Sequence, residues 1–274
     1  MSRIQQILEK AERDGGIARL RPVASTDAAA PFEFHGTDMP LDTTDGVLMD
    51  EVATRLAPGR VVRNVRLAPA LASALIPGAA AAEQYRALRT RIAQAERLTP
   101  LNLIVVTSPG RGEGKSLTTA NLGLTMAQDV QRRICLVDAD LRNSSLHTLF
   151  GLSGAPGLSD VLTGRAGLED ALVGLDDQHI TVLPAGNVVA HPAELLGSAT
   201  MQQTIASLRA HFDRVLIDAP ATGPLADLGI LAPLVDRVVL VVRAGITTKP
   251  AIQEAVATIG ADRLLGVVLN DAAN

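Results

Sequence analysis

From residue 80 onward, helical patterns alternate with short continuous apolar runs: LNLIVVTS, RRICLVDAD, HITVLPAG, DRVLIDAP, DRVVLVVRAG and RLLGVVLND. A run that is apolar at every position suits a strand covered on both faces, whereas a half-exposed strand would alternate. The segments between carry stripes at helical spacing. Met201, Ile205, Leu208 and Phe212 share one face, with Thr200 and Gln203 available as a capping box. Ile252, Val256 and Ile259 form the next stripe, with Pro250 near its start and Gly260 at its stop. Strand then helix, repeated, predicts an α/β fold with a mostly parallel β-sheet flanked by helices on both faces.

The earlier part of the chain reads differently. Ile4, Ile7, Leu8 and Ala11 recur at helical spacing and predict a short amphipathic helix that Gly15 and Gly16 terminate. Residues 17–78 fade into Pro, Gly, Asp, Thr and Ala, the composition of an extended or flexible arm. The expected division is therefore a helix in 1–16, an arm in 17–78 and a nucleotide-binding domain in 79–274.

Composition narrows the chemistry. Only Tyr85 and 4 phenylalanines are aromatic, so Leu, Val, Ile and Ala must fill the core. A formal charge of −4 offers no general attraction for nucleic acid or an anionic membrane, and no nucleic-acid partner is expected. Cys135 is the single cysteine, which excludes an internal disulfide framework, and the 5 histidines lack metal-ligand spacing. The N-terminus mixes charges into its apolar positions, and the most apolar later stretch, LAPALASALIPGAAAA, is broken by Pro69 and Pro77. The expectation is a cytoplasmic chain with no transmembrane segment of its own.

The stretch TSPGRGEGKSLTTANLG joins an apolar run to a helical pattern. Glycines let successive N–H groups curl inward around phosphates, and the helix that follows adds its positive end. Gly110, Arg111, Gly112, Glu113, Gly114, Lys115, Ser116 and Leu117 are the candidate nucleotide-binding residues. Lys115 would contact the β and γ phosphates, and the Ser116 hydroxyl would ligate Mg²⁺. Pro109 stands where the usual phosphate loop begins with glycine. In LVDADLR, Asp138 and Asp140 are alternate residues at a strand's end and can aim at one volume, as a proton acceptor and a magnesium partner. In RVLIDAP, Asp218 supplies a further carboxylate toward Mg²⁺. All three motifs fall at the C-terminal ends of strands, where open α/β sheets bind ligands.

The order GEGKS, LVDADLR, LIDAP resembles the Walker A, A′ and B set of the bacterial tyrosine kinases of capsular and exopolysaccharide assembly, relatives of the MinD and ParA ATPases. AAEQYRALRTRI resembles that family's oligomerisation helix, whose E-x-x-R-x-x-R pattern falls on Glu83, Arg86 and Arg89. LFGLSGAPGLSDVLTG, VLPAG, PAELLGS, LGILAPLVD, LVVRAG and GVVLN follow in the family's order. The resemblance implies a P-loop fold, ATP and Mg²⁺ as cofactors, self-association, and recruitment to the inner face of the membrane. Its implied partner is a transmembrane polysaccharide chain-length regulator or co-polymerase.

By the same resemblance Lys115, Asp138 and Asp140 are the catalytic candidates, with Ser116, Asp140 and Asp218 around the metal; which aspartate has which task stays open. Gly110 stands where MinD and ParA ATPases carry a signature lysine, which favours the kinase branch. The family's tyrosine-rich tail has no counterpart after GVVLNDAAN, so autophosphorylation is not expected, and Tyr85 lies inside the oligomerisation helix. Besides the tyrosine kinase, a P-loop ATPase acting as an assembly switch and a non-catalytic nucleotide-binding scaffold fit the same motifs.

Overall fold

A computed structural model describes residues 56–71, 76, 78–223 and 227–271. The expected helix in 1–16 and most of the expected arm lie outside these residues.

The core of the domain is an eight-stranded sheet in the order β1-β4-β5-β3-β6-β2-β7-β8. Its strands are β1 (Arg60–Val62), β2 (Leu103–Thr107), β3 (Ile134–Asp138), β4 (Val173–Leu175), β5 (Ile180–Leu183), β6 (Arg214–Asp218), β7 (Arg237–Arg243) and β8 (Leu264–Asn270). Every neighbouring pair is parallel except β4 with β5, which run antiparallel. The six apolar runs read from the sequence are β2, β3, β5, β6, β7 and β8, and β2, β3, β5 and β6 are buried at every position. Residues 60–62, expected within an arm, instead pair with β4, and Gly59 N–H donates to the Glu169 carbonyl at 2.8 Å.

Alternate residues of each strand face opposite layers, as the two-residue period requires. Leu103, Val105, Cys135, Val137, Val215 and Ile217 pack beneath α4 (Leu158–Leu162), α6 (Pro192–Leu196), α7 (Ala199–His211), α8 (Asp227–Leu231) and α9 (Lys249–Ile259). Ile104, Val106, Ile134, Leu136 and Leu216 pack beneath α1 (Ala80–Glu96), α2 (Lys115–Ala127) and α3 (Leu146–Leu149). α5 (Leu168–Ala171) leads into β4. A Cβ on Gly123 would lie 2.6 Å from Leu136, so the missing side chain is what lets α2 seat closely on β3. The stripe Met201, Ile205, Leu208 and Phe212 is buried as expected. The cap of α7 is not Thr200, however: Ser198 Oγ, two residues earlier, accepts the Met201 N–H at 3.1 Å. In α9 Thr248 caps, Pro250 occupies the first turn and Gly260 ends the helix at φ 84°.

Candidate active site

β2, β3 and β6 lie side by side and end together, so the residues that leave their C-terminal tips must converge. β2 runs into the loop 108–114, and α2 begins at Lys115. Gly114 caps α2 at φ +96°, and a Cβ there would meet the Asn270 amide nitrogen at 2.1 Å; glycine is required for both reasons. The loop is tied to its neighbours by Thr107 Oγ1 donating to the Pro220 carbonyl at 2.6 Å and Ser108 Oγ donating to the Gly110 carbonyl at 2.6 Å.

Lys115, only 8 % exposed, reaches Asp140 at 2.8 Å and Asp218 at 3.6 Å, and its ammonium donates to Ser116 Oγ at 3.3 Å. Burial works to lower the lysine pKa, but the charges of Asp218 and Asp140 outweigh it and the net shift is upward. Asp138 and Asp218 sit opposite each other in the β3–β6 register. Asp138 is fully buried; its Oδ1 accepts the Asp140 N–H at 3.2 Å, and its Oδ2 accepts the N–H groups of Ser145 and Leu146 at 3.1 Å each. Burial, then the charge of Asp218, pushes its carboxyl up to about 7 against the pull of those backbone donors. Asp218 is also fully buried, and no donor comes within 3.5 Å of its oxygens in hydrogen-bonding geometry; the Lys115 ammonium stands at 3.6 Å. Burial pushes it up to about 6, with the Lys115 ammonium as the main opposing influence.

The arrangement offers one ammonium to an anion and several carboxylate oxygens to a cation. One ammonium faces several carboxylates that burial has made uncomfortable, and a buried unpaired carboxylate costs several kcal/mol unless a cation or donor arrives (about 1–3 kcal/mol for the lost hydrogen bonds alone). No family profile matches the chain. It is 38 % identical over 191 residues to the tyrosine-protein kinase YwqD of Bacillus subtilis (strain 168), a match covering 69 % of this chain and 80 % of that one. The chain belongs to the bacterial tyrosine kinase family of capsule and exopolysaccharide biosynthesis.

The solved structures agree. The chimerical protein CapA2B2 superposes with TM-score 0.71 at 27 % identity, covering 78 % of this chain and 94 % of that one. The septum site-determining protein MinD complexed with Mg-ADP, from Pyrococcus horikoshii OT3, superposes with TM-score 0.52 at 26 % identity over 61 % of this chain and 68 % of that one. The fold is thus a MinD-like P-loop NTPase fold, and the chain is a protein-tyrosine kinase of an ATP-using family.

Within this kinase site the individual sequence candidates occupy different positions. Lys115, Ser116, Asp138, Asp140 and Asp218 come together. Gly110, Arg111, Gly112, Glu113 and Gly114 form the loop, with Arg111 exposed, while the Leu117 side chain turns into the core beneath α2 and leaves only its backbone to the site. Glu83 and Arg86 form an ion pair along α1. Arg89 donates to the Thr125 carbonyl at 2.7 Å, at the end of α2, so α1 is fastened to the helix that follows the phosphate loop. Tyr85 lies on the same side of α1; its hydroxyl bonds Thr118 and Asn121 of α2, and burial raises its pKa. Two residues not singled out from the sequence also reach the loop. Thr247 Oγ1 donates to Glu113 Oε1 at 2.6 Å, and Asn270 Nδ2 donates to the Glu113 carbonyl at 2.9 Å. The only signal for Asn270 was its place in GVVLN.

Proposed function

We propose that this kinase passes the γ-phosphoryl group of ATP to a tyrosine on a partner protein. The supporting observation is the convergence of Lys115, Asp140 and Asp218 under the N-terminus of α2, with Asp138 beside them near pKa 7. In this reading the loop amides and Lys115 hold the β and γ phosphates and replace the ion pairs that the lysine makes now. Asp138 takes the acceptor hydroxyl's proton, because a base near the working pH combines availability with driving force. Mg²⁺ fits the donor set: the two unpartnered oxygens of Asp218, Ser116 Oγ and Asp140 are hard oxygen donors. Among the described residues no three His, Cys, Asp or Glu side chains form a cage of their own, so phosphate oxygens and water would complete the shell. Bound there, the ion would neutralise charge on the transferring phosphoryl group.

The acceptor is placed on another protein because Tyr85 is the one tyrosine in the sequence and its hydroxyl is engaged by α2. The CapA2B2 chimera joins a CapA part to a CapB part by its name, and a CapA-like membrane protein is the partner class proposed here. Among the described residues no helix is long and apolar enough to cross a membrane, so membrane recruitment would come through that partner, on its cytoplasmic side. Glu83, Arg86 and Arg89 are proposed to act in self-association, Arg89 by fixing the orientation of α1. The test is ATP labelled in its γ-phosphate, incubated with the chain with and without the partner, counting phosphotyrosine and free phosphate separately. Labelled partner tyrosine is expected; stoichiometric free phosphate without labelled protein would overturn the kinase reading in favour of an ATPase switch.

A further inference from the structure

We propose that Glu113 is a positioning residue that buckles the phosphate loop to the tips of β7 and β8, and that Thr247 is the other half of the buckle. The inference rests on the nucleotide-binding reading of the loop. Glu113 is 5 % exposed although charged, and it makes no ion pair among the described residues. What satisfies it is a set of neutral donors. Its Oε2 accepts the Gly110 N–H at 2.9 Å, which spans the loop, and its Oε1 accepts the Thr247 hydroxyl at 2.6 Å, which leaves it. Thr247 Oγ1 in turn accepts the Arg243 N–H at 2.8 Å. On the backbone side, the Glu113 carbonyl accepts the Asn270 amide, while Asn270's own carbonyl accepts the Ala244 N–H at 2.9 Å.

These bonds converge on the carboxylate, from the β7 amide through a hydroxyl on one side and from the loop amide on the other. Such chains polarise each member and hold it more firmly than isolated bonds would. A glycine-rich loop otherwise loses much conformational entropy when it closes on phosphates. The buckle spends that entropy during folding, so the loop amides stand ready before the ligand arrives. The carboxylate serves better than an amide here because both its oxygens accept, and both partners are donors.

Thr247 is half-buried in a bend and belongs to neither apolar core cluster, so replacing it leaves the core alone. Thr247→Val keeps the shape and removes the hydroxyl, and Thr247→Ser restores it. With the full chain and Mg-ATP, calorimetry should show Thr247→Val weakening ATP binding about 10-fold and Glu113→Ala about 10- to 100-fold. Thr247→Ser should stay within about 2-fold of the unaltered chain, and Glu113→Ala with Thr247→Val should be no weaker than Glu113→Ala alone. In steady-state transfer the KM for ATP should rise by more than kcat falls. Unchanged affinity in Thr247→Val, or losses that add in the double variant, would overturn the buckle while leaving nucleotide binding intact. No uptake of ATP by the unaltered chain would overturn the nucleotide reading, and this inference with it.

Discussion

β6 begins with Arg214 and ends with Asp218, both buried, and the two ends of that strand follow opposite rules. At the starting end every carboxylate is provided for. Asp236 accepts the N–H groups of Asn102 and Leu103 at 2.7 and 2.8 Å and pairs with Arg209 at 2.9 Å. Asp213 accepts the Arg133 N–H at 2.7 Å, and Arg214 meets Glu96 at 2.8 Å. Although burial works upward on Asp236 and Asp213, the arginine and backbone donors hold both carboxyls below the ordinary range. At the finishing end Asp138 and Asp218 are pushed up, and Asp218 has only the Lys115 ammonium at 3.6 Å and the Ser116 hydroxyl set against its burial. The aspartates at the starting end are held down by arginines and backbone donors, while burial prevails over the donors at the finishing end.

The largest expected effect follows from removing the lysine that Asp140 and Asp218 share. Lys115→Met should lower phosphotyrosine formation by at least about 100-fold, because a donor aimed at transition-state charge is lost. Arg209→Met, at the satisfied end, should leave transfer per folded molecule within about 2-fold while lowering the melting midpoint. A comparable loss of transfer in both would erase the distinction between the two ends. Next in size, Asp236→Ala should destabilise the domain by about 2–4 kcal/mol, since it strands two backbone donors and Arg209 together. Chemical denaturation of the nucleotide-free chain measures this directly, and a loss below about 1 kcal/mol would mean those bonds are replaced by water.

How much of this was visible in the residues alone depends on distance along the chain. The buried strands were legible because covering a strand on both faces leaves an unbroken apolar run. β1 and β4 were not: RVV and VGL are too short to show a period, and their pairing joins segments more than a hundred residues apart. The convergence of Lys115, Ser116, Asp138, Asp140 and Asp218 was legible because each part is a local motif at a strand tip, and the topology that gathers the tips follows from strand–helix alternation. The Glu113 buckle was not, because Thr247 and Asn270 reach Glu113 across 134 and 157 positions with no local signature. The α7 cap was missed by two residues for a different reason: Ser198 and Thr200 are equally good caps in sequence, and packing of Met201 decides between them.

A smaller effect, opposite in sign to that of Asp236→Ala, tests the same comparison. Asp218→Asn removes a buried charge whose burial outweighs the pull of Lys115, so the nucleotide-free domain should gain about 1–2 kcal/mol while transfer is lost. For a unit of this size that is a rise of roughly 2–8 °C in the melting midpoint. Stabilisation coupled to loss of activity is the signature of strain held for function. A destabilised Asp218→Asn would show instead that Lys115 needs Asp218 for the fold.

The smallest effect is the dependence of stability on pH, and its sign differs between the two ends. Asp138 and Asp218 have folded pKa values near 7 and 6, against 3.8 ordinarily, so between about pH 4 and pH 7 the folded state binds more protons than the unfolded chain at these positions. Their contribution therefore lowers stability as pH rises through that window. Asp213 and Asp236 are shifted down, so their contribution is present above the ordinary carboxylate range and is lost as pH falls below it. Together these place the stability maximum of the nucleotide-free domain near about pH 5, on the acid side of neutrality, with a decline of about 1 kcal/mol or more toward pH 8. Calorimetric melting without ATP or Mg²⁺ between pH 4 and pH 8 reads both slopes. In Asp218→Asn the decline above pH 5 should shrink while the loss below pH 4 is unchanged, because only one end has been altered. A midpoint that climbs steadily from pH 5 to pH 8 would mean that both carboxylates ionise without cost in the fold, and the contrast between the two ends of β6 would then have no energetic content.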